Sequence, residues 1–248
     1  MRCAVGWNVV WFQAGHTVSP RLPAPHEVYV VEVDLPSQLS LDSPAWQDLT
    51  DLEQQRASRY RSDQARAQFV LCRSALRRWL GACLGLEPSK VRLTANENGK
   101  PQLDSSVSWG NRDYTPRLYF NLAHTEGKGL MAFARDPVGV DVECVRSVHH
   151  MEGLIQRYFS PCEYAQWQSS PVPNRLDTFF RLWTGKEAVI KAVGRSLVSL
   201  RCFDLLLHED GSATVVNARE PEFQGSWYIP SWKKDRYWVT VAVRVPEG

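Results

Sequence analysis

The stretch Pro137-Val-Gly-Val-Asp141-Val-Glu143-Cys-Val145 is an apolar, β-branched run that carries two carboxylates. Such a run predicts a strand. Residues two apart on a strand share a face, so Asp141 and Glu143 are expected to point the same way. The apolar flanks predict a buried strand, and two buried carboxylates side by side are costly unless a cation compensates them. The run therefore predicts a cation site.

A second stretch, Trp183-Thr-Gly-Lys186-Glu187-Ala-Val-Ile-Lys191, has a helical pattern. Trp183, Glu187 and Lys191 fall on one stripe of that helix, because residues four apart are neighbours. A third carboxylate can therefore meet the first two, with a lysine one turn away. Three hard oxygen donors beside a cation suit Mg²⁺ that holds a phosphate-containing substrate.

Each of these two patterns also has an ordinary structural interpretation. Asp-x-Glu on a strand is more often surface charge than a metal site, and Lys-Glu-x-x-x-Lys is common on solvated helices. Here the residues around both patterns are apolar and favour burial. Solvated surface charge is therefore the weaker explanation of the two.

The composition is that of an ordinary soluble globular protein, with 44% hydrophobic and 23% charged residues. A chain of 248 residues can bury a core without disulfides or structural metals. The net charge of +2 is too small to favour nucleic acid by itself. Six scattered cysteines without a Cys-x-x-Cys pair predict unpaired thiols in a reducing, cytoplasmic protein.

Targeting and membrane segments are not predicted. No stretch approaches about 18 consecutive apolar residues, so we expect no membrane span. Residues 1–12 weakly resemble a signal peptide, but Asn8 interrupts the apolar run and no clean cleavage site follows. We therefore reject secretion.

The first half begins with residues 1–25, which three prolines mark as poorly ordered. Residues 26–35 predict a strand. A helical pattern with an arginine-rich face then runs, with interruptions, from about 45 to 84 and is expected to end at Gly85.

Further along, residues 105–116 predict an irregular surface insertion, and residues 118–122 predict a strand. Residues 129–134 and 138–145 predict a hairpin around Arg135-Asp-Pro137.

The second half repeats this order of elements. A helix over 151–158 precedes Ser160-Pro-Cys-Glu163, whose serine and glutamate are spaced as a capping box. A helix over 174–193 and several strands follow. We predict an α+β fold of two similar α/β halves related by a pseudo-twofold, each an antiparallel sheet packed with helices. The boundaries of these halves are 1–136 and 137–248.

Four motifs occur together in one order. They are Gly99-Lys100-Pro101, Phe120-Asn-Leu-Ala-His124-Thr125, Gly139-Val-Asp141-Val-Glu143 and Trp183-x-x-Lys186-Glu187-Ala-x-x-Lys191. In this order the chain resembles the 4′-phosphopantetheinyl transferases of the larger, monomeric, surfactin-synthetase-activating type, over roughly residues 55–199. One departure is Ala123, where the family usually has serine, and the lost hydrogen bond is worth about 1 kcal/mol.

The resemblance implies that coenzyme A donates its 4′-phosphopantetheine arm to a serine of an apo acyl or peptidyl carrier protein. It implies Mg²⁺, with Mn²⁺ as the alternative ion, held by Asp141, Glu143 and Glu187. Either Glu187 or a water removes the serine proton. Lys191 neutralises charge on the phosphate oxygens or on the leaving group, and Lys186 is a second candidate for a phosphate contact.

The resemblance also implies the coenzyme A contacts. His124 is expected to reach a pyrophosphate or 3′-phosphate oxygen, with a catalytic role. The other implied contacts are Thr125, Lys100, Pro101 and Arg73, together with one or more of Arg56, Arg59 and Arg66 for the 3′-phosphate.

The remaining implications concern partners. We expect Arg77 and Arg78 to face solvent or to steer an acidic carrier protein, and Phe159 to contribute to a carrier-docking patch. The family further implies a monomer with pseudo-dimeric halves and an active site between them. Neither nucleic acid nor a membrane is an expected partner.

Three other interpretations compete with this one. Another Mg²⁺-dependent phosphoryl-group enzyme would explain the carboxylates but not the Gly-Lys-Pro and Asn-Leu-Ala-His motifs together. A non-catalytic module that binds coenzyme A or a carrier is supported by Ala123 alone. Nucleic-acid binding lacks an aromatic platform within the basic segment.

Overall fold

The computed structural model describes residues 6–15, 21–106 and 117–246, which form a mixed α+β protein with several antiparallel sheets. The chain divides into two compact units. The N-terminal unit is Asn8–Arg135, and the C-terminal unit begins at Asp136 and includes Trp7. Within the described residues, none of the helices combines the length and the apolar character that a bilayer crossing requires.

The N-terminal unit is built on a four-stranded sheet. Its strands are β1 (Asn8–Gln13), β2 (Glu27–Asp34), β5 (Tyr119–Thr125) and β6 (Lys128–Ala134), in the order β1-β2-β6-β5. A separate hairpin joins β3 (Leu93–Ala95) to β4 (Pro101–Leu103). β1 runs parallel to β2, whereas β6 is antiparallel to both of its neighbours.

Two helices accompany this sheet, α1 (Asp51–Ser58) and α2 (Asp63–Leu84). The Ser62 side chain caps the start of α2, and Gly85 ends the helix with a left-handed φ of 70°. Leu76 and Leu80 of α2 are fully buried in the core formed with β2 and β6. An amphipathic helix thus covers one face of the sheet.

The C-terminal unit is built on β7 (Val138–Cys144) and β12 (Tyr237–Val245), which are antiparallel neighbours. β12 also pairs with β10 (Ser226–Tyr228) and β11 (Ser231–Lys234). A two-stranded sheet joins β8 (Asp204–Leu207) and β9 (Ala213–Val216). The helices are α3 (Met151–Tyr158), α4 (Pro161–Ser169) and α5 (Arg175–Val193).

Several local predictions are confirmed. The predicted strand over 26–35 is β2, and the predicted helix over 174–193 is α5. The capping box at the start of α4 is formed, because Ser160 and Glu163 each bond to the other's backbone N–H. The five cysteines within the described residues are all free thiols, as expected.

Other predictions are wrong. Residues 129–134 and 138–145 do not form a hairpin, since β6 pairs with β2 and β5 while β7 pairs with β12. Part of the segment 1–25, expected to lack order, is the parallel strand β1. The sheet that contains β1 is therefore mixed and not purely antiparallel. Most of the expected insertion, residues 107–116, lies outside the described residues.

Arg77 is also misplaced by the sequence analysis, which expected it to face solvent. Its side chain is 3% exposed and donates to Glu53 Oε2 at 2.6 Å and to the carbonyls of Pro88 and Val91. A buried guanidinium with three acceptors is a structural tie between α1, α2 and the segment after α2. Arg78 is 54% exposed and pairs with Asp48.

We expect Arg77→Met to lower the free energy of unfolding by about 3 kcal/mol, because the carbonyls of Pro88 and Val91 lose this donor and Glu53 loses its partly buried ion pair with Arg77. Arg78→Met should cost less than about 1 kcal/mol, since its ion pair is exposed. Urea unfolding of both variants tests the contrast. Equal losses would contradict a structural role specific to Arg77.

Candidate functional site

The carboxylate face of β7 is set by its pairing with β12. Gly139, Asp141 and Glu143 alternate along one face of β7, and Asp141 lies opposite Thr240 in the antiparallel register. Asp141 is 3% exposed. The predicted common orientation of the two carboxylates therefore has a backbone basis.

Gly139 allows α5 to approach β7 closely. A Cβ atom at this position would lie 1.9 Å from the Ala188 carbonyl oxygen and 2.5 Å from the Ala192 nitrogen. Both are backbone atoms of α5, which cannot move aside as a side chain can. The missing side chain is thus a condition for the contact between helix and strand.

That contact gathers three carboxylates. One oxygen from each of Asp141, Glu143 and Glu187 lies within 4.8 Å of the others. Lys191 Nζ donates to Asp141 Oδ1 at 2.5 Å and lies 3.2 Å from Glu187 Oε2. Asp141 Oδ2 is buried and has no hydrogen-bond partner among the described residues. The structure therefore brings together Asp141, Glu143, Glu187 and Lys191, as the two sequence motifs predicted.

Burial dominates the electrostatics of this cluster. Burial raises the pKa of Asp141 to about 7, with Lys191 acting against the rise and Glu187 adding to it. Burial disfavours the charged form of Lys191, but Asp141 and Glu187 outweigh that effect and raise its pKa above the ordinary value. The cluster holds more negative charge than its single lysine neutralises, which is a reason for it to bind a cation.

A chain of three hydroxyls includes Thr240, the residue opposite Asp141 in the strand register, and was not predicted from the sequence. Thr184 and Thr240 are fully buried, and their Oγ1 atoms are 2.8 Å apart. Thr240 Oγ1 is also 2.9 Å from Ser231 Oγ. This chain joins α5 to β12 and β11 next to the carboxylates. The one feature of the sequence that pointed to these hydroxyls is the position of Thr184 within the Trp-Thr-Gly-Lys-Glu motif.

Lys186 does not join the carboxylates. It is 0% exposed, and its Nζ lies 2.6 Å from Glu163 Oε1 and donates to the Phe203 carbonyl at 2.8 Å. The phosphate contact expected of Lys186 is therefore wrong for this structure. Adjacent helix positions are about 100° apart, so Lys186 and Glu187 face different neighbours. Phe159, expected in a docking patch, is likewise buried at 2% exposure.

A pocket of about 320 Å³ with a polar and an apolar part borders Glu143, and its polar lining also includes Arg146, Ser147 and His149. Leu154, Phe179, Phe180 and Trp183 supply the apolar part of its wall. The same aromatic residues belong to the core around α5, where the rings of Phe179 and Trp183 stack at 6.1 Å. A carboxylate at the edge of an apolar wall suits a ligand with a charged end and an uncharged arm.

In the N-terminal unit, His124 and Thr125 line an open pocket of about 460 Å³. The other residues that line it come from the start of α2 and from the turn after β5: Ser62, Gln64, Ala65, Gln68 and Glu126. The N-terminal end of a helix attracts anions through its free N–H groups and its dipole. Ala123 is 5% exposed and lies on the opposite face of β5 from His124.

Lys100 is positioned by a tight turn. Asn96 Oδ1 accepts from the Lys100 N–H at 2.8 Å, Gly99 has a φ of 81°, and Pro101 begins β4. Lys100 is half-buried, and burial lowers its pKa to about 8. A cation that is partly removed from water gains from an anionic ligand.

Arg56 and Arg73 lie over the same ring. Their guanidinium carbons are 5.1 Å and 5.7 Å from the centre of Phe69, and Arg73 Nε is 3.4 Å from Glu53 Oε1. Cation–π contacts hold both arginines together. The structure thus pairs two of the arginines that were named as phosphate contacts.

The comparisons with known proteins agree with one another. Residues 137–242 match the model of the 4′-phosphopantetheinyl transferase superfamily. The chain is 35% identical over 179 residues to the 4′-phosphopantetheinyl transferase HetI of Nostoc sp., an alignment that covers 68% of this chain and 72% of HetI.

Two Bacillus subtilis relatives extend this result. The 4′-phosphopantetheinyl transferases ffp and Sfp are 32% and 28% identical, and each alignment covers 60% of this chain and 61% of the relative. The chain thus spans about three-fifths of these two proteins. All three relatives are transferases, and so is this protein. It belongs to the 4′-phosphopantetheinyl transferase family, and within that family to the Sfp type.

We expect Gly139→Ala to lower the stability by about 3 kcal/mol and to weaken Mn²⁺ binding strongly, because the new Cβ must push α5 away from β7. Gly153→Ala, at an unobstructed position in α3, is the matched control and should be neutral or stabilising. Thermal unfolding and a Mn²⁺ titration check both variants. A Gly139→Ala protein with normal metal affinity would refute the close-approach argument.

Proposed function

We propose that this chain transfers the 4′-phosphopantetheine arm of coenzyme A to a serine of an apo acyl or peptidyl carrier protein and releases adenosine 3′,5′-bisphosphate. Membership of the family supports the type of transfer. The observation that carries the assignment to this chain is the cluster of Asp141, Glu143 and Glu187 with Lys191 beside it.

The three carboxylates fit a magnesium ion, with manganese as the alternative. They supply hard oxygen donors, and the unpartnered Oδ2 of buried Asp141 is a donor atom that the protein itself leaves unused. When bound, the ion would neutralise charge on the pyrophosphate of coenzyme A.

The reaction is a substitution at the β-phosphorus. The serine oxygen forms a bond to that phosphorus while the bond to the bridging oxygen breaks, and adenosine 3′,5′-bisphosphate leaves with the electron pair. The serine proton passes to Glu187 or to a water beside it. Glu187 is suited to this because its side chain is 14% exposed, so its carboxylate is open to a serine hydroxyl. Alignment and charge neutralisation account for most of the acceleration in such reactions.

The N-terminal unit is proposed to supply phosphate contacts. His124 and Thr125 border a pocket at the positive end of α2, which suits a phosphate. Lys100 and Pro101 are proposed to line the adenine and phosphate pocket. Arg56 and Arg73, held over Phe69, are proposed to bind the 3′-phosphate.

The pocket next to Glu143, with its aromatic wall and its polar residues Arg146, Ser147 and His149, is proposed to receive the pantetheine arm, which carries amide groups between short apolar segments. The arm is uncharged and follows directly from the β-phosphate, so its site must adjoin the residues that bind the pyrophosphate. A pocket lined by Phe179, Phe180 and Trp183 beside a metal-binding carboxylate meets that requirement.

We base the proposed division of roles, the location and the partners on the family resemblance. Residues 1–136 contribute coenzyme A contacts, and residues 137–248 contribute the metal-binding and catalytic residues of a cytoplasmic monomer with pseudo-twofold halves. Carrier protein and coenzyme A are its partners, without nucleic acid or membrane.

Asp141→Asn and Glu187→Gln should each lower the transfer rate by at least about a hundredfold. Loss of a hydrogen-bond partner of a metal ligand already lowers metal affinity or activity by about 10–100-fold, and these substitutions change the ligands themselves. Both substitutions keep the side-chain volume and remove one of three clustered negative charges, which offsets the loss of an ion pair with Lys191, so the unfolding temperature should not fall. Glu209→Ala, an exposed carboxylate of the same unit, is the control and should transfer normally. Intact mass of a carrier protein incubated with coenzyme A and Mg²⁺ is the measurement. Normal labelling by Asp141→Asn would overturn the assignment.

Coenzyme A binding should become weaker as the pH rises above about 8, because Lys100, with its pKa near 8, loses its charge there. At pH 8.5 the binding should take up part of a proton, since a bound phosphate restores the charge of the lysine. Calorimetry in buffers of different ionisation enthalpy measures this uptake.

Lys100→Arg is the matched control for this pH dependence. Arginine stays charged at pH 8.5, so its coenzyme A binding should take up no proton and should vary little with pH. An undiminished uptake in Lys100→Arg would show that another group is responsible.

A further inference from the structure

The ammonium of Lys191 lies among the oxygens that are proposed to hold the metal. Its Nζ is 2.5 Å from Asp141 Oδ1 and 3.2 Å from Glu187 Oε2. Those two carboxylates supply two of the three proposed metal ligands, with Glu143 as the third. Lys191 therefore contacts the metal ligands directly.

An ammonium and a divalent ion cannot use the same oxygens equally well. Mg²⁺ binds oxygens at about 2.0–2.1 Å in a nearly octahedral arrangement, which an ammonium bonded to the same carboxylates obstructs. Two cations a few ångströms apart also repel each other strongly in a partly buried site. Binding of the ion must therefore displace or loosen the contact between Lys191 and Asp141.

The side chain of Lys191 is partly exposed and can move towards solvent. It is 27% exposed, whereas that of Asp141 is 5% exposed. A lysine has a flexible four-carbon stem and a compact charge, so it can swing towards solvent while its backbone stays in α5. A phosphate oxygen of a bound substrate would accept the displaced ammonium.

We propose that Lys191 is an internal counter-ion that competes with the divalent ion for Asp141 and Glu187. Its ammonium moves to a phosphate oxygen of the substrate when the ion and coenzyme A bind together. The identity of that phosphate rests on the proposed function, but the competition does not. Because the displaced lysine gains a new partner only with substrate present, coenzyme A and the ion must strengthen each other's binding.

The alternative is that Lys191 only holds the three carboxylates in place. Both roles make transfer depend on Lys191, so activity alone does not separate them. The two roles predict opposite changes in metal affinity when Lys191 is replaced and no substrate is present. Removal of a competitor tightens the binding, whereas removal of a support weakens it.

The test is a Mn²⁺ titration by electron paramagnetic resonance of the full chain without coenzyme A. Lys191→Met should bind Mn²⁺ about tenfold more tightly than the wild type, which corresponds to about 1.4 kcal/mol. Lys233→Met is the matched control, because it removes an exposed lysine of the same unit that pairs with Asp177. It should leave the affinity within about twofold. Equal or weaker binding by Lys191→Met would overturn the proposal.

Coenzyme A provides a second readout. Its addition should tighten Mn²⁺ binding in the wild type and should do so less in Lys191→Met, which has no ammonium to transfer. Equal tightening in the two proteins would contradict the transfer of the ammonium to a phosphate.

If Lys191→Met folds poorly without a metal ion, thermal unfolding replaces the titration as the measurement. In that case the variant is prepared with Mn²⁺, and the rise in its unfolding temperature on Mn²⁺ addition should exceed that of the wild type. Lys191→Arg keeps the charge and should bind Mn²⁺ no more tightly than the wild type. A smaller rise for Lys191→Met, or tighter binding by Lys191→Arg, would count against competition.

Failure of the proposed function would give a different result. A wild-type protein that does not modify a carrier, together with tight Mn²⁺ binding by Lys191→Met, would refute the transfer and support the counter-ion. Normal transfer by the wild type with unchanged Mn²⁺ binding by Lys191→Met would refute the counter-ion alone.

Discussion

The close approach of α5 to β7 at Gly139 is the constraint on which the rest of the site depends. Helix backbone atoms of Ala188 and Ala192 occupy the space that any side chain at this position would need. With the helix held at this distance, Glu187 and Lys191 reach the carboxylates of the strand. A site made from a strand and a helix is held more rigidly than one made from loops.

Among the residues that the structure describes, the buried charges of the C-terminal unit are of two kinds, hydrogen-bonded ion pairs and a carboxylate with an unpaired oxygen. The pair of Lys186 and Glu163 is closed, because Lys186 also donates to the Phe203 carbonyl and both oxygens of Glu163 accept from a backbone N–H, that of Leu205 or that of Ser160. At Asp141, by contrast, one buried oxygen has no partner in the described part of the chain. Closed pairs fix structure, whereas an incompletely satisfied charge marks a place where a ligand can bind.

Lys186 and Lys191 show that local sequence predicts the face of a helix on which a residue lies but not its distant partners. Both lysines stand near Glu187 in the motif, and both were candidates for phosphate contact. Helical spacing correctly placed Lys191 on the face of Glu187, since the two are four residues apart. Whether Lys186 met solvent or a buried partner depended on Glu163, which lies 23 residues away in the sequence. The same limit explains the burial of Arg77, because its partner Glu53 lies 24 residues away in the sequence.

Strand pairing shows the same limit. Residues 129–134 and 138–145 have the local signals of a hairpin, yet each run has its partners elsewhere in the chain. Strand propensity depends on a residue and its near neighbours, whereas pairing depends on which edges the whole fold brings together.

By itself, the sequence determined the elements that carry the site and the common face of Asp141 and Glu143, because these follow from periods of 2 and 3.6 residues. The order of four motifs also determined the family. Only the tertiary structure decided which charges are closed pairs and which remain available. It alone placed Lys191 on Asp141, because that contact requires α5 to lie against a strand that has no side chain at Gly139.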